Sequence, residues 1–188
     1  MLTHRNRSSA KGVRTIMLSN KSDTRSGRDI LAPLLLRSLI GGTMVAHGLK
    51  HGRSIDGTAG WFGSIGFRRP RLQAQASAAV ETAAGAALVA GAATPVAAAA
   101  VVATMAVAAR SVHVQNGFFI TSEGWEYVAN LATAATALAA LGPGRFSVDR
   151  LLGWDTAFRG DKAVAGVLAL GIAAAATQLA VFHRRVEG

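Results

Sequence analysis

The sequence predicts an all-α protein: a transmembrane helical bundle built from five apolar stretches, the fifth near the C-terminus. Three observations predict it. Hydrophobic residues fill 51% of the 188 positions and charged residues only 16%, against roughly 25% charged in an ordinary soluble domain. Apolar stretches recur along the chain near the length of a bilayer crossing, for which about 20 helical residues are needed. Residues 83–109 and 163–176 run through Ala, Val, Leu, Gly and Met with no polar stripe, whereas each helix of a soluble Ala-rich bundle keeps one polar face. Cysteine is absent, which excludes disulfide scaffolds, thiol redox centres and thiolate zinc sites in this chain.

Residues 1–29 carry Arg5, Arg7, Lys11, Arg14, Lys21, Arg25 and Arg28 against Asp23 and Asp29, a large share of a net charge of +10. They show no hydrophobic period and read as a flexible basic tail. Placed directly before an apolar helix, such a tail suits anionic lipid, at about 1 kcal/mol per charge. No recognition helix or aromatic platform follows it, so no nucleic-acid partner is expected. The candidate spans are residues 30–48, 73–92, 95–113, 125–141 and 163–182. The second holds Glu81, and a central charge costs ~2.5–3.5 kcal/mol on an insertion scale, so this helix needs neighbours. Pro95 stands at a first-turn position that tolerates proline, making residues 91–94 a tight turn between antiparallel helices. Small residues four apart (Ala78, Thr82, Ala86 and Ala90; Ala100, Thr104 and Ala108) favour close helix contacts in lipid. Gly142-Pro143-Gly144 ends the fourth helix. The expected organisation is a tail over 1–29, a four-helix bundle over 30–152 and a C-terminal extension over 153–188. The tail and the 142–162 loop together hold more Lys and Arg than the loops on the other side, which places the N-terminus in the cytoplasm.

Charges within membrane segments are costly and point to a functional site or an ion pair. Counted from the helix ends, Arg37 and Glu81 both fall near mid-bilayer. An Arg37–Glu81 pair is one expectation, and a polar floor beneath an outward-opening cavity is its sharper form. Above it, His47, Lys50, Arg110, His113, Glu123, Glu126 and Tyr127 meet the same outer boundary. Acid, imidazole and cation together there suit a quinone head group and its protons. For Arg110, Trp61, Trp125 and Tyr127 taken singly, ordinary interfacial anchoring is the better reading. His47 and His51 are four apart, the spacing of a two-histidine metal site on one helix face; no HExxH pattern accompanies them, although distant Glu126 and His113 could complete a site, so they are weak metal candidates.

Four blocks, LLLRSLIGGTMVAHGLKHG, GTAGWFGSIGFRRPRLQAQASAAVE, HVQNGFFITSEGWEY and GPGRFSVDRLLG, occur in an order and spacing that resembles the DoxX family of small bacterial membrane proteins. The resemblance covers roughly residues 30–152. It implies a four-helix membrane bundle with residues 61–67 partly in the outer interface, in a multi-pass protein of the cell membrane. The positions it carries over are Arg37, His47, Gly48, Lys50, Glu81, Gly117, Glu123, Glu126 and Tyr127. The family takes its name from a quinone-linked thiosulfate oxidation system. A relative is associated with a membrane oxidoreductase complex containing superoxide dismutase and a sulfurtransferase.

The functional expectation is therefore a membrane subunit of a respiratory or redox-defence oxidoreductase system. Menaquinone or another quinone is the candidate cofactor. Glu81, His113 or Glu126 would handle protons, and Arg37 or Lys50 would polarise the quinone oxygen. Without Cys, redox work must come from a bound quinone or a partner. The alternative is a non-catalytic anchor or assembly subunit that docks partner proteins. Passage of a small molecule or ion through the polar bundle centre is a third reading.

Overall fold

The computed structural model describes the backbone of residues 8–157 and 159–184, with side chains from residue 30 onward. Among these residues the regular structure is helical, apart from one isolated antiparallel bridge between Phe67 and His183. The order is α1 (Ser8–Arg53), α2 (Ile55–Ser64), α3 (Pro70–Ala90), α4 (Thr94–Ala108), α5 (Glu126–Leu141), α6 (Val148–Leu151) and α7 (Asp161–Phe182). A π-turn over Ala109–His113 and a 3-10 turn over Val114–Asn116 extend α4, and a second 3-10 turn covers Ile120–Ser122. Each apolar stretch of the sequence thus becomes one long helix. α1 starts at Ser8, so the expectation of a flexible tail fails for residues 8–29, which are helical, because adding turns to an existing helix avoids the cost of a new nucleus. The start of the basic tail, residues 1–7, and Arg185 lie outside the described residues.

Three helical stretches, Ile30–Arg53, Thr94–Asn116 and Asp161–Phe182, are long and apolar enough to cross a membrane. α1, α4 and α7 run from one end of the bundle to the other, and α3 and α5 return. At the first end, the Asp149 N–H donates to Gly91 O at 2.9 Å and the Gly160 N–H to Ala140 O at 3.0 Å. At the second, the N–H groups of Arg68 and Arg184 donate to Phe182 O and Gly66 O. That zipper ties the end of α7 to the α2–α3 link. Ile40, Met44, Leu88, Val101, Leu138 and Val167 form the fully buried centre. A smaller cluster of Phe62, Phe67, Val107 and Ala175 lies beneath α2.

α1 and α3 pack backbone to backbone. A Cβ on Gly85 would stand 2.6 Å from Gly41 O and 2.7 Å from Val45 N. A Cβ on Gly41 would meet Gly85 O at the same 2.6 Å. Close approach of this kind is how helices gain contact energy where lipid removes the hydrophobic drive. It also sets the register between the two helices.

That register overturns the expected Arg37–Glu81 pair. Arg37, 3% exposed, lies level with the C-terminal turn of α3, about 10 Å further along that helix than Glu81 by the rise per residue. Its Nε donates to Leu88 O at 2.8 Å and Nη2 to Val89 O at 2.5 Å. Nη1 donates to Pro143 O at 2.9 Å and Phe146 O at 2.6 Å. One guanidinium therefore joins the end of α3, whose last carbonyls lack helical partners, to the loop after α5.

Asp149 completes this lock. Its carboxylate accepts from the N–H groups of Ala93 (2.7 Å) and Thr94 (2.9 Å), a cap on α4 supplied from α6. The anion also faces the positive end of the α4 dipole. Asp149→Ala strands two N–H donors and is expected to cost about 2 kcal/mol, to be read as a lowered melting temperature of the detergent-solubilised chain.

Candidate functional site

A cavity of about 920 Å³ opens at the second end of the bundle, opposite the Arg37 lock. Five long helices and α2 line it. α1 gives Thr43, Met44, His47, Lys50 and His51, and α2 gives Trp61 and Phe62. From α3 come Gln73, Ser77 and Glu81, and from α4 Thr104 and Met105. α5 supplies Tyr127, Val128 and Leu131, and α7 supplies Gln178 and Phe182. The walls are largely aromatic, methionine and aliphatic, and the polar groups gather on α1 and α3.

The α3 side carries the clearest pattern. Gln73, Ser77 and Glu81 are four apart and so share one helix face, along about 12 Å of rise. Gln73 and Glu81 are each 4% exposed. Gln178 Nε2 on α7 donates to Gln73 Oε1 at 2.8 Å. Ser77 Oγ donates to Glu81 Oε1. From α1, His51 Nδ1 sits 3.1 Å from Ser77 Oγ and 3.4 Å from Glu81 Oε1. The three residues do not form a nucleophilic triad. In a triad the imidazole stands between hydroxyl and acid and uses both ring nitrogens, while here one nitrogen faces both groups and the serine proton is committed to Glu81.

On the α1–α5 side, His47 stacks on Tyr127, with ring centroids 6.4 Å apart and an interplanar angle of 30°. The Tyr127 hydroxyl faces the Thr43 side chain. His113 lies on the π-turn, an irregularity frequent at functional sites, and its Nδ1 is 2.6 Å from Glu123 O. Gly117 closes the same loop by accepting from the Trp125 N–H at 3.0 Å.

Of the candidates read from the sequence, the cavity brings together His47, Lys50, Glu81, His113, Glu123 and Tyr127. Three do not join them. Arg37 is at the opposite end. Arg110 is exposed on the π-turn and does not line the cavity. Glu126 turns back to its own loop, where Oε2 accepts from the Ile120 N–H at 3.0 Å. His47 and His51 have ring centroids 6.4 Å apart at nearly a right angle. Among the described residues no group of three or more His, Asp and Glu is placed to hold a metal ion, so Glu126 and His113 do not complete a site with them. Ser77, Gln73 and Gln178 were not singled out in the sequence. For the first two the four-residue spacing up to Glu81 was the available signal.

Residues 32–114 match the DoxX family model. The chain carries a DoxX domain. With its three membrane-length helices, it is a membrane protein. The DoxX match is shorter than the 30–152 suggested by the four blocks. It includes Arg37, His47, Lys50, Glu81 and His113, and it ends before Glu123, Glu126 and Tyr127. The cavity attached to the DoxX domain thus owes part of its wall to α5 and α7. No curated protein and no solved structure gives a significant match to the chain.

Proposed function

We propose that the chain is a membrane subunit of a redox system and that its cavity holds the head group of a quinone. One observation carries this reading: a cavity of about 920 Å³ with apolar walls and a buried, hydrogen-bonded carboxylate, Glu81, on one flank. The volume lies at the upper end of the range for small-molecule sites, with room for a ring and the first units of a prenyl tail. Trp61, Phe62, Met44 and Met105 offer flat and polarisable contact to a ring. Lys50 and His47 on the α1 wall provide donors for a ligand oxygen. A bound quinone supplies the electron chemistry that a chain without Cys lacks; the residues of the cavity bind and orient it.

The N-terminus is placed in the cytoplasm and the cavity toward the outer leaflet of the cell membrane. The reading is supported by the excess of Lys and Arg on the tail side. Other subunits of the redox complex and membrane lipids are the expected partners. A docking role without cofactor is the second reading, favoured by the exposed Phe118, Phe119 and Ile120 on the loop beside the cavity.

The test is lipid extraction and mass spectrometry on the full chain purified from its native membrane in mild detergent. The expected result is retained isoprenoid quinone, lost in Thr104→Phe, which fills the cavity floor. Recovery of a partner protein with no quinone would favour the docking role.

A further inference from the structure

Both described contacts of Glu81 use one oxygen. Oε1 accepts from Ser77 and faces His51, and Oε2 has no hydrogen bond among the described residues. The side chain is 5% exposed and forms part of the cavity wall. Oε2 is not a sealed atom but opens on the cavity, and a ligand that displaces water from it must supply a donor, since an unmade bond to a charged group is costly. The groups beside it offer no spare proton at that spot. The Ser77 hydroxyl is spent on Glu81, and His51 Nδ1 points at the same pair.

From this we infer that the cavity selects the reduced, hydroxyl-bearing form of its ring ligand, with a ligand O–H donating to Glu81 Oε2. The inference rests on the quinone reading and goes further, to the redox form. A carboxylate accepts and does not donate, and the carbonyl of a quinone also only accepts. Two acceptors face to face repel, whereas the hydroxyl of a quinol supplies the missing proton. On the α1 wall the two forms are less distinct, because both a carbonyl and a hydroxyl oxygen can accept from Lys50 or His47. Discrimination therefore resides at Glu81. Its basis is the one by which sites built to bond a hydroxyl reject analogues lacking it: a buried polar group is left unpaired.

Calorimetric titration of the full chain in lipid nanodiscs, under anaerobic conditions, with menadiol and with menadione as probes tests this. The wild type is expected to bind menadiol at least about tenfold more tightly, the scale of one charge-assisted hydrogen bond. In Glu81→Gln the side chain offers both a donor and an acceptor, and the two affinities are expected to converge to within about threefold. Equal affinities in the wild type, tighter binding of menadione, or an unchanged ratio in Glu81→Gln would each overturn the inference and leave the quinone reading standing. Binding of neither probe would remove both. Should Glu81→Gln fail to insert, the wild-type ratio alone decides.

Discussion

Arg37→Met is expected to destabilise the bundle by about 3–5 kcal/mol, the range for breaking a buried charged network by removing one partner. The side chain makes hydrogen bonds to four carbonyls, two on the last turn of α3 and two on the loop after α5. Methionine fills much of the volume and satisfies none of them. Asp149, capping α4 close by, also loses its nearby cation. The measurement is thermal unfolding of the purified chain in detergent, followed by size-exclusion fluorescence. Arg37→Lys is expected to rescue little, since an ammonium cannot reproduce the planar fork that spans the two elements. The prediction fails if Arg37→Met melts with the wild type.

Gly85→Ala is expected to cost about 3 kcal/mol, at the upper end for overpacking. The added methyl would meet Gly41 O and Val45 N, atoms of a helix backbone that cannot move one at a time. α1 must then move away from α3 as a unit. Because His51 is on α1 and Ser77 and Glu81 are on α3, the same change separates the hydrogen-bonded cluster of the cavity. A lower melting temperature should therefore come with weaker ligand binding, whereas Gly42→Ala, with open space around its Cβ position, should change neither. A Gly85→Ala protein with wild-type stability would contradict the backbone-to-backbone packing.

How much of this was readable beforehand follows from how local each signal is. The five long helices and the class were legible, because apolar length and the missing polar stripes belong to single segments; the short α2 and α6 and the start of α1 at Ser8 were not, because no apolar run marks them. Arg37 and Glu81 stood out for the same reason: a charge inside an apolar run is visible without knowing its surroundings. Their partners were not visible. Helix register between α1 and α3 is decided by the Gly41–Gly85 approach, a contact between residues far apart in sequence, and a depth count from assumed helix ends misplaces Arg37 by about 10 Å relative to Glu81. Asp149 drew no notice because a single acid in a polar loop is ordinary. Its importance appears only when the start of α4 arrives beside it. In the sequence His51 reads as half of a weak metal pair with His47, although its nearer neighbours, Ser77 and Glu81, are on another helix.

The zipper between the α2–α3 link and the end of α7 bears on any attempt to prepare a minimal fragment. A polypeptide trimmed to residues 32–114 would keep Glu81, Ser77 and His51 yet lack Tyr127, Leu131, Gln178 and Phe182. Its chamber would stand unwalled on two flanks, open to acyl chains or detergent tails. The family segment is accordingly smaller than the unit that builds the chamber, and ligand screens belong on a chain that retains its last helix.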